Sequence, residues 1–109
     1  MLDHQGPVSV TRALDAVLDE GADGTRSLTL GVAGDREVGI WEIEPGVAHD
    51  VEVDEVFVVL EGRATISVVG HEDLEIGPGD VVHLEEGTPT VWTVHQRLRK
   101  VYLVSADPR

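Results

Sequence analysis

Two stretches decide how this chain folds: Glu55-Val56-Phe57-Val58-Val59-Leu60-Glu61-Gly62 and, further on, Gly77-Pro78-Gly79-Asp80. The first is a continuous apolar run entered by a carboxylate and closed by glycine. Its core, Val56 to Leu60, has the pattern of a strand buried on both faces. The second is a tight Gly/Pro turn that leads into another short apolar run, Val81 to Leu84. Outward from this pair the pattern repeats. Arg63 to Val69 alternates and ends in Gly70-His71-Glu72-Asp73, a hairpin turn, and Leu74 to Ile76 forms a short strand. Glu85 to Pro89 is a loop, and Thr90 to His95 and Arg99 to Val104 finish the sheet. Upstream, Leu28 to Val32 and Glu37 to Glu44 are strands, the second closed by Pro45-Gly46. Strands at regular spacing with Gly/Pro turns predict a β-sandwich or barrel.

The N-terminal part reads differently. Leu14, Val17 and Leu18 fall at i, i+3 and i+4, so the spacing predicts a short helix over Thr11 to Asp19. Ser9 or Thr11 would cap it and Gly21 would end it. The expected organisation is a single domain over residues 1–109, with a helix and arm over 1–27 and a barrel over 28–104.

Composition sets the outer bounds. A chain of 109 residues forms one domain. It buries about 65% of its unfolded surface. The absence of cysteine excludes disulfide and thiolate chemistry. No apolar run approaches the ~18 residues needed to cross a bilayer. The first residues lack the basic flank and apolar core of a signal peptide, so a cytoplasmic protein is expected. Eight Lys and Arg against 21 Asp and Glu give a formal charge of −13. Such a surface repels phosphate backbones and anionic membranes, so neither nucleic acid nor membrane is an expected partner. The only basic cluster is Arg97, Arg99 and Lys100.

The order of these pieces resembles the cupin superfamily, RmlC-like jelly rolls with a first motif G-x5-H-x-H-x3,4-E-x6-G and a second motif G-x5-P-x-G-x2-H-x3-N. The E-x6-G half of the first is present as Glu55 and Gly62, and the second starts at Gly79-Asp80 and reaches Gly87. More narrowly, Gly39-Ile40-Trp41-Glu42, Pro45-Gly46, Leu60-Glu61-Gly62, Trp92 and Arg99-Lys100-Val101-Tyr102 are similar to the small cupin domain of ureidoglycine aminohydrolase. The resemblance implies an all-β double-stranded β-helix, a jelly-roll barrel around a cavity, which commonly pairs as a homodimer.

It also implies where a metal would sit. Cupin metal sites use two or three histidines, a glutamate and waters, a donor set suited to divalent transition metals. The corresponding positions here are His49, Val51, Glu55 and Thr90. Valine cannot ligate and threonine is a poor neutral ligand, so His49 and Glu55 are the only candidates. Two residues, not five, separate Gly46 from His49, which leaves a second reading of His49 as a loop histidine facing solvent or an interface. Glu55 could equally be a carboxylate at a strand entrance held by backbone amides. Period-two alternation puts Thr90, Trp92 and Val94 on one face and His95 on the other. His83 is expected to face outward, and His71 lies in a turn.

The expected pocket is then Trp41, Phe57, Thr90, Trp92 and Tyr102, with His49 and Glu55 as the candidate acid–base pair. Three functions follow. The first is binding of a small polar molecule in the barrel with a degenerate metal motif. The second is metal-dependent chemistry on a ureide-like or other polar substrate. The third is a structural dimer module.

Overall fold

The structure, a computed structural model, describes residues 2–5 and 7–105, with side chains described from residue 7 onward. Ten strands follow in order: β1 (Leu2–Gln5), β2 (Val8–Thr11), β3 (Asp19–Glu20), β4 (Thr25–Ala33), β5 (Arg36–Ile43), β6 (Gly46–Val51), β7 (Glu55–Ser67), β8 (Leu74–Ile76), β9 (Val81–Leu84) and β10 (Pro89–Ser105). β1 and β2 form a hairpin, and the others join one antiparallel sheet that folds over on itself.

The fold-over rests on β7 and β10, which pair along almost their whole length. The first half of β7 also pairs with β9, and the second half with β8. Likewise the first half of β10 pairs with β6 and the second half with β5. Both long strands therefore pass from one layer to the other. The passage is marked by register shifts between Val94 and Lys100. It is fixed by Gly62, whose φ is 93° and on which a Cβ would overlap the Arg97 carbonyl. Only glycine allows that conformation and that approach. The expected strands on either side of Gly62 are thus one bent strand, as are those on either side of Gln96. The Gly77-Pro78-Gly79-Asp80 turn clamps β7 from the side. Gly79 N–H donates to the Val59 carbonyl at 2.8 Å and Val59 N–H donates to that of Asp80 at 3.0 Å.

The core lies between the layers: Phe57, Val59, Ala64, Ile66, Ile76, Leu84, Trp92, Val94 and Leu98. The β7 run is not buried on both faces. Phe57 and Val59 point into the core, whereas Val56 is 44% exposed and Val58 half-buried on the outer face.

The N-terminal helix is not formed; no helix occurs among the described residues. A single turn, with Asp15 N–H donating to the Arg12 carbonyl, leads into extended chain. Ala16 and Leu18 pack on Ile40 while Val17 is 86% exposed, so burial follows period two and not the helical spacing. The cause is tertiary. Arg99 Nη1 donates to the carbonyls of Ala13, Leu14 and Ala16, taking the acceptors a helix would use. The same guanidinium meets the buried carboxylate of Glu42, which Arg26 grips from the other side. Burial pushes the Glu42 carboxyl up, but the two arginines outweigh it and hold it below its ordinary value.

Candidate functional site

Strand register builds the site from three inward rows. Glu37, Val104, Glu55 and Leu84 lie side by side across β5, β10, β7 and β9. Next come Gly39, Tyr102, Phe57 and Val82, and then Trp41, Lys100 and Val59. Tyr102 lies directly over Gly39, where a Cβ would collide with the phenol. From the second layer Trp92, flanked by Ala48 and Ile66, faces these rows. Of these, Glu37, Trp41, Ala48, Glu55, Trp92, Lys100, Tyr102 and Val104 line a cavity of about 1050 Å³, whereas Phe57, expected in the pocket, lies behind its wall in the core.

Its floor is an ion pair. Lys100 Nζ stands 2.7 Å from Glu55 Oε2, with both side chains close to nine-tenths buried or more. The ammonium sits among three rings, 4.2 Å from the centroid of Phe57, 4.5 Å from Trp41 and 5.3 Å from Trp92. Trp41 meets Trp92 edge-on at 6.5 Å, and Phe57 lies tilted against Trp92 at 5.7 Å. Ring quadrupoles favour a cation in such a box. The Lys100 ammonium is the partner of the enclosed Glu55 Oε2, and no other donor reaches that oxygen among the described residues.

Two further carboxylates hold the walls. Buried Glu52 accepts from Trp92 Nε1 at 2.9 Å and from Thr90 Oγ1 at 2.5 Å, which fixes the indole. Glu52 is itself anchored by backbone bonds to Thr88 and Gly87. Glu37 accepts from the Tyr102 hydroxyl at 2.9 Å. Burial, and then that bond, push the Tyr102 hydroxyl up to about 12.

The structure thus brings Trp41, Glu55, Phe57, Trp92 and Tyr102 together. Thr90 is buried and faces inward, but its hydroxyl is committed to Glu52. His49 does not join them. It lies in β6, not in a loop, and is exposed in the same pleat as Val47 and Val51, bordering the cavity at the sheet edge. His95 is exposed on the outer face, with Nε2 2.7 Å from Thr65 Oγ1. His83 is also exposed, and His71 lies in the turn after β7.

These positions do not fit a metal centre. Glu55 is occupied by an ammonium, Thr90 donates to a carboxylate, Val51 is apolar, and His49 lies in the outward pleat. Among the described residues no three His, Cys, Asp or Glu side chains converge to hold an ion. Sequence reasoning missed Lys100 and Glu52. Lys100 shares the inward pleat with Leu98 and Tyr102, a spacing that was available. In the sequence it stands beside Arg97 and Arg99 in the basic cluster, and charge alone does not separate it from them.

Comparison with known proteins agrees with this architecture. The family of the EutQ-like cupin domain matches residues 30–102. A protein of unknown function from Rhizobium leguminosarum superposes with a TM-score of 0.75 at 24% identity, covering 90% of this chain and 96% of that one. The EutQ protein of Clostridium difficile gives 0.77 at 16% identity, with 93% and 90% covered. Ectoine synthase from P. lautus gives 0.69 at 19% identity, with 86% and 72% covered. At these identities the likeness speaks to fold alone. No curated protein matches the sequence. The family matched is the EutQ-like one, so the narrower likeness to ureidoglycine aminohydrolase stays a resemblance. With most of the barrel matched, this chain belongs to the EutQ-like cupin domain family.

Proposed function

We propose that this protein binds a small polar molecule in its barrel cavity, on a floor made by the Lys100–Glu55 pair in place of a metal ion. The observation that carries this reading is the ammonium at 2.7 Å from the one retained motif carboxylate, boxed by three rings. Trp41, Trp92 and Tyr102 supply the walls. A group with a proton fixed at neutral pH can donate a hydrogen bond but cannot act as a base. Tyr102, with its hydroxyl raised to about 12, is such a group.

Elemental analysis of the purified protein tests the floor directly. The expected result is transition metal well below one equivalent, unchanged in Glu55→Ala and His49→Ala. One equivalent in the native protein, lost in either variant, would overturn the reading.

The proton on Tyr102 has its own test. A hydroxyl with a raised pKa contributes stability that is complete below its ordinary value of 10.0 and lost as pH rises through about 12. Tyr102 is the sole tyrosine, so tyrosinate absorbance reports one group. Its midpoint should lie near 12 in the folded protein and fall in Glu37→Gln. A native midpoint near 10.0 would contradict the buried, Glu37-bound geometry.

A second reading, compatible with the first, concerns a second copy of the chain. On the outer face of the same sheet, Val38, Leu103, Val56 and His83 form one row, and Val101, Val58 and Val81 continue the next. Leu103, Val56 and Val81 are 41%, 44% and 71% exposed. Neither row carries a carboxylate. In a chain of charge −13, this is a face on which two copies meet without repulsion. Sedimentation equilibrium should give a dimer, converted to monomer by Val56→Glu with Leu103→Glu. A monomeric native protein would rule this out.

A further inference from the structure

Lys100 is the sole lysine of the chain. Its side chain is 7% exposed and lines the cavity, so the amine is held inside the barrel and not on the surface, where lysines ordinarily stand. Lysine differs from arginine in one respect that matters here. An ammonium can give up a proton and become a nucleophilic amine, whereas a guanidinium keeps its charge. A group able to take that proton stands beside it. Glu55 Oε2 lies 2.7 Å from Lys100 Nζ, and no other donor reaches that oxygen among the described residues. Both charges are out of water. Moving one proton across the gap cancels both, and so costs less here than between the same groups in solvent.

The ring box suits a condensation product of this amine as well as it suits the resting ammonium. In such a condensation Glu55 takes one proton from Nζ. The Nζ lone pair then adds to the carbonyl carbon of an aldehyde, and the C=O π pair becomes a hydroxyl that takes a second Nζ proton. Glu55 returns its proton to that hydroxyl, water leaves, and the Nζ=C bond forms. Ammonium and aldehyde thus give protonated imine and water, with one positive charge on each side. Trp41, Phe57 and Trp92, at 4.2–5.3 Å from Nζ, and the Glu55 carboxylate hold a cation at that atom before and after. The buried charge balance is unchanged by the step.

We infer that Lys100 is a nucleophile, and that the cavity captures small uncharged aldehydes as a protonated imine on Nζ, with Glu55 taking and returning the proton. The inference rests on the cavity being a binding site, as proposed above, and names the substrate class and the bond formed. Three rings crowd the approach to Nζ, which favours an aldehyde, with one substituent on its carbonyl carbon, over a ketone with two. Carboxylates dominate the lining, and the one ammonium is already neutralised by Glu55, which disfavours anionic carbonyl compounds.

With a sole lysine, reductive trapping reads one side chain. The experiment treats the intact protein with butyraldehyde and sodium cyanoborohydride at neutral pH, beside Nα-acetyl-lysine in the same tube, and follows both adducts by mass spectrometry with peptide mapping. Lys100 should be butylated about tenfold faster than the free amino acid, despite its burial. Succinic semialdehyde, of the same chain length with a terminal carboxylate, should label Lys100 about tenfold more slowly than butyraldehyde. Glu55→Gln, checked for folding by circular dichroism, should slow the labelling about tenfold, and Glu55→Asp should keep more of the rate. Lys100 left unlabelled, or labelled no faster than acetyl-lysine, would overturn the nucleophile. Equal rates for the two aldehydes would overturn the uncharged substrate class, and undiminished labelling in Glu55→Gln would overturn the role of Glu55. Butyramide, which forms no imine, separates this inference from the reading beneath it, through the fluorescence of Trp41 and Trp92 in the cavity lining. A saturable change with Lys100 unlabelled leaves a binding cavity without the imine, and neither signal removes both.

Discussion

The ion pair between Lys100 and Glu55 is the point on which the interior of this barrel turns. Two charges taken out of water cost several kcal/mol each before their attraction is counted. They persist here because the surroundings suit a cation: three ring faces at 4.2–5.3 Å, each worth about 0.5–2 kcal/mol to an ammonium. Those rings come from both layers of the sheet, Trp41 and Phe57 from one and Trp92 from the other. They close on the ammonium only because β7 bends at Gly62 and β10 shifts register beside it. The glycine that looks like a turn signal is thus what brings the box together.

Neighbouring residues of β10 do opposite work across the pleat. Lys100 points inward to Glu55, and Arg99 points outward to Glu42 and to three carbonyls of the N-terminal segment. The inner pair shapes the cavity, and the outer network straps the segment over Ile40. As Glu42 is held below its ordinary pKa, the stability it contributes is present above 4.5 and lost as pH falls through the lowered value. The strap is therefore acid-sensitive.

Much of the barrel was legible in the chain. Apart from β6, where the sequence suggested a loop after Pro45-Gly46, the strands from Leu28 to Val104 and the Gly-Pro-Gly-Asp turn follow from period-two alternation and turn chemistry, and residues 30–102 match the family. What misled was local pattern under tertiary control. Leu14, Val17 and Leu18 have helical spacing, yet Arg99, more than eighty positions away, takes the carbonyls of that segment. Continuous apolar residues at Val56 to Leu60 suggested two buried faces, whereas the outer ones lie on an open sheet face. At the site, alternation correctly set Trp92 and Thr90 against His95. The charge partner of Glu55 was not legible, because pairing Lys100 with it needs the β7–β10 register, and a single sequence does not print register.

A double-mutant cycle on Glu55→Gln and Lys100→Met, read by urea unfolding at neutral pH, tests the central claim most directly. Each single change leaves one buried charge unmatched and should cost about 3 kcal/mol. The double change removes both charges and should cost no more than either single change, where additivity would give about 6 kcal/mol, a coupling of about 3 kcal/mol. Effects that add within about 0.5 kcal/mol would mean the two groups do not depend on each other, and would contradict an ammonium–carboxylate floor.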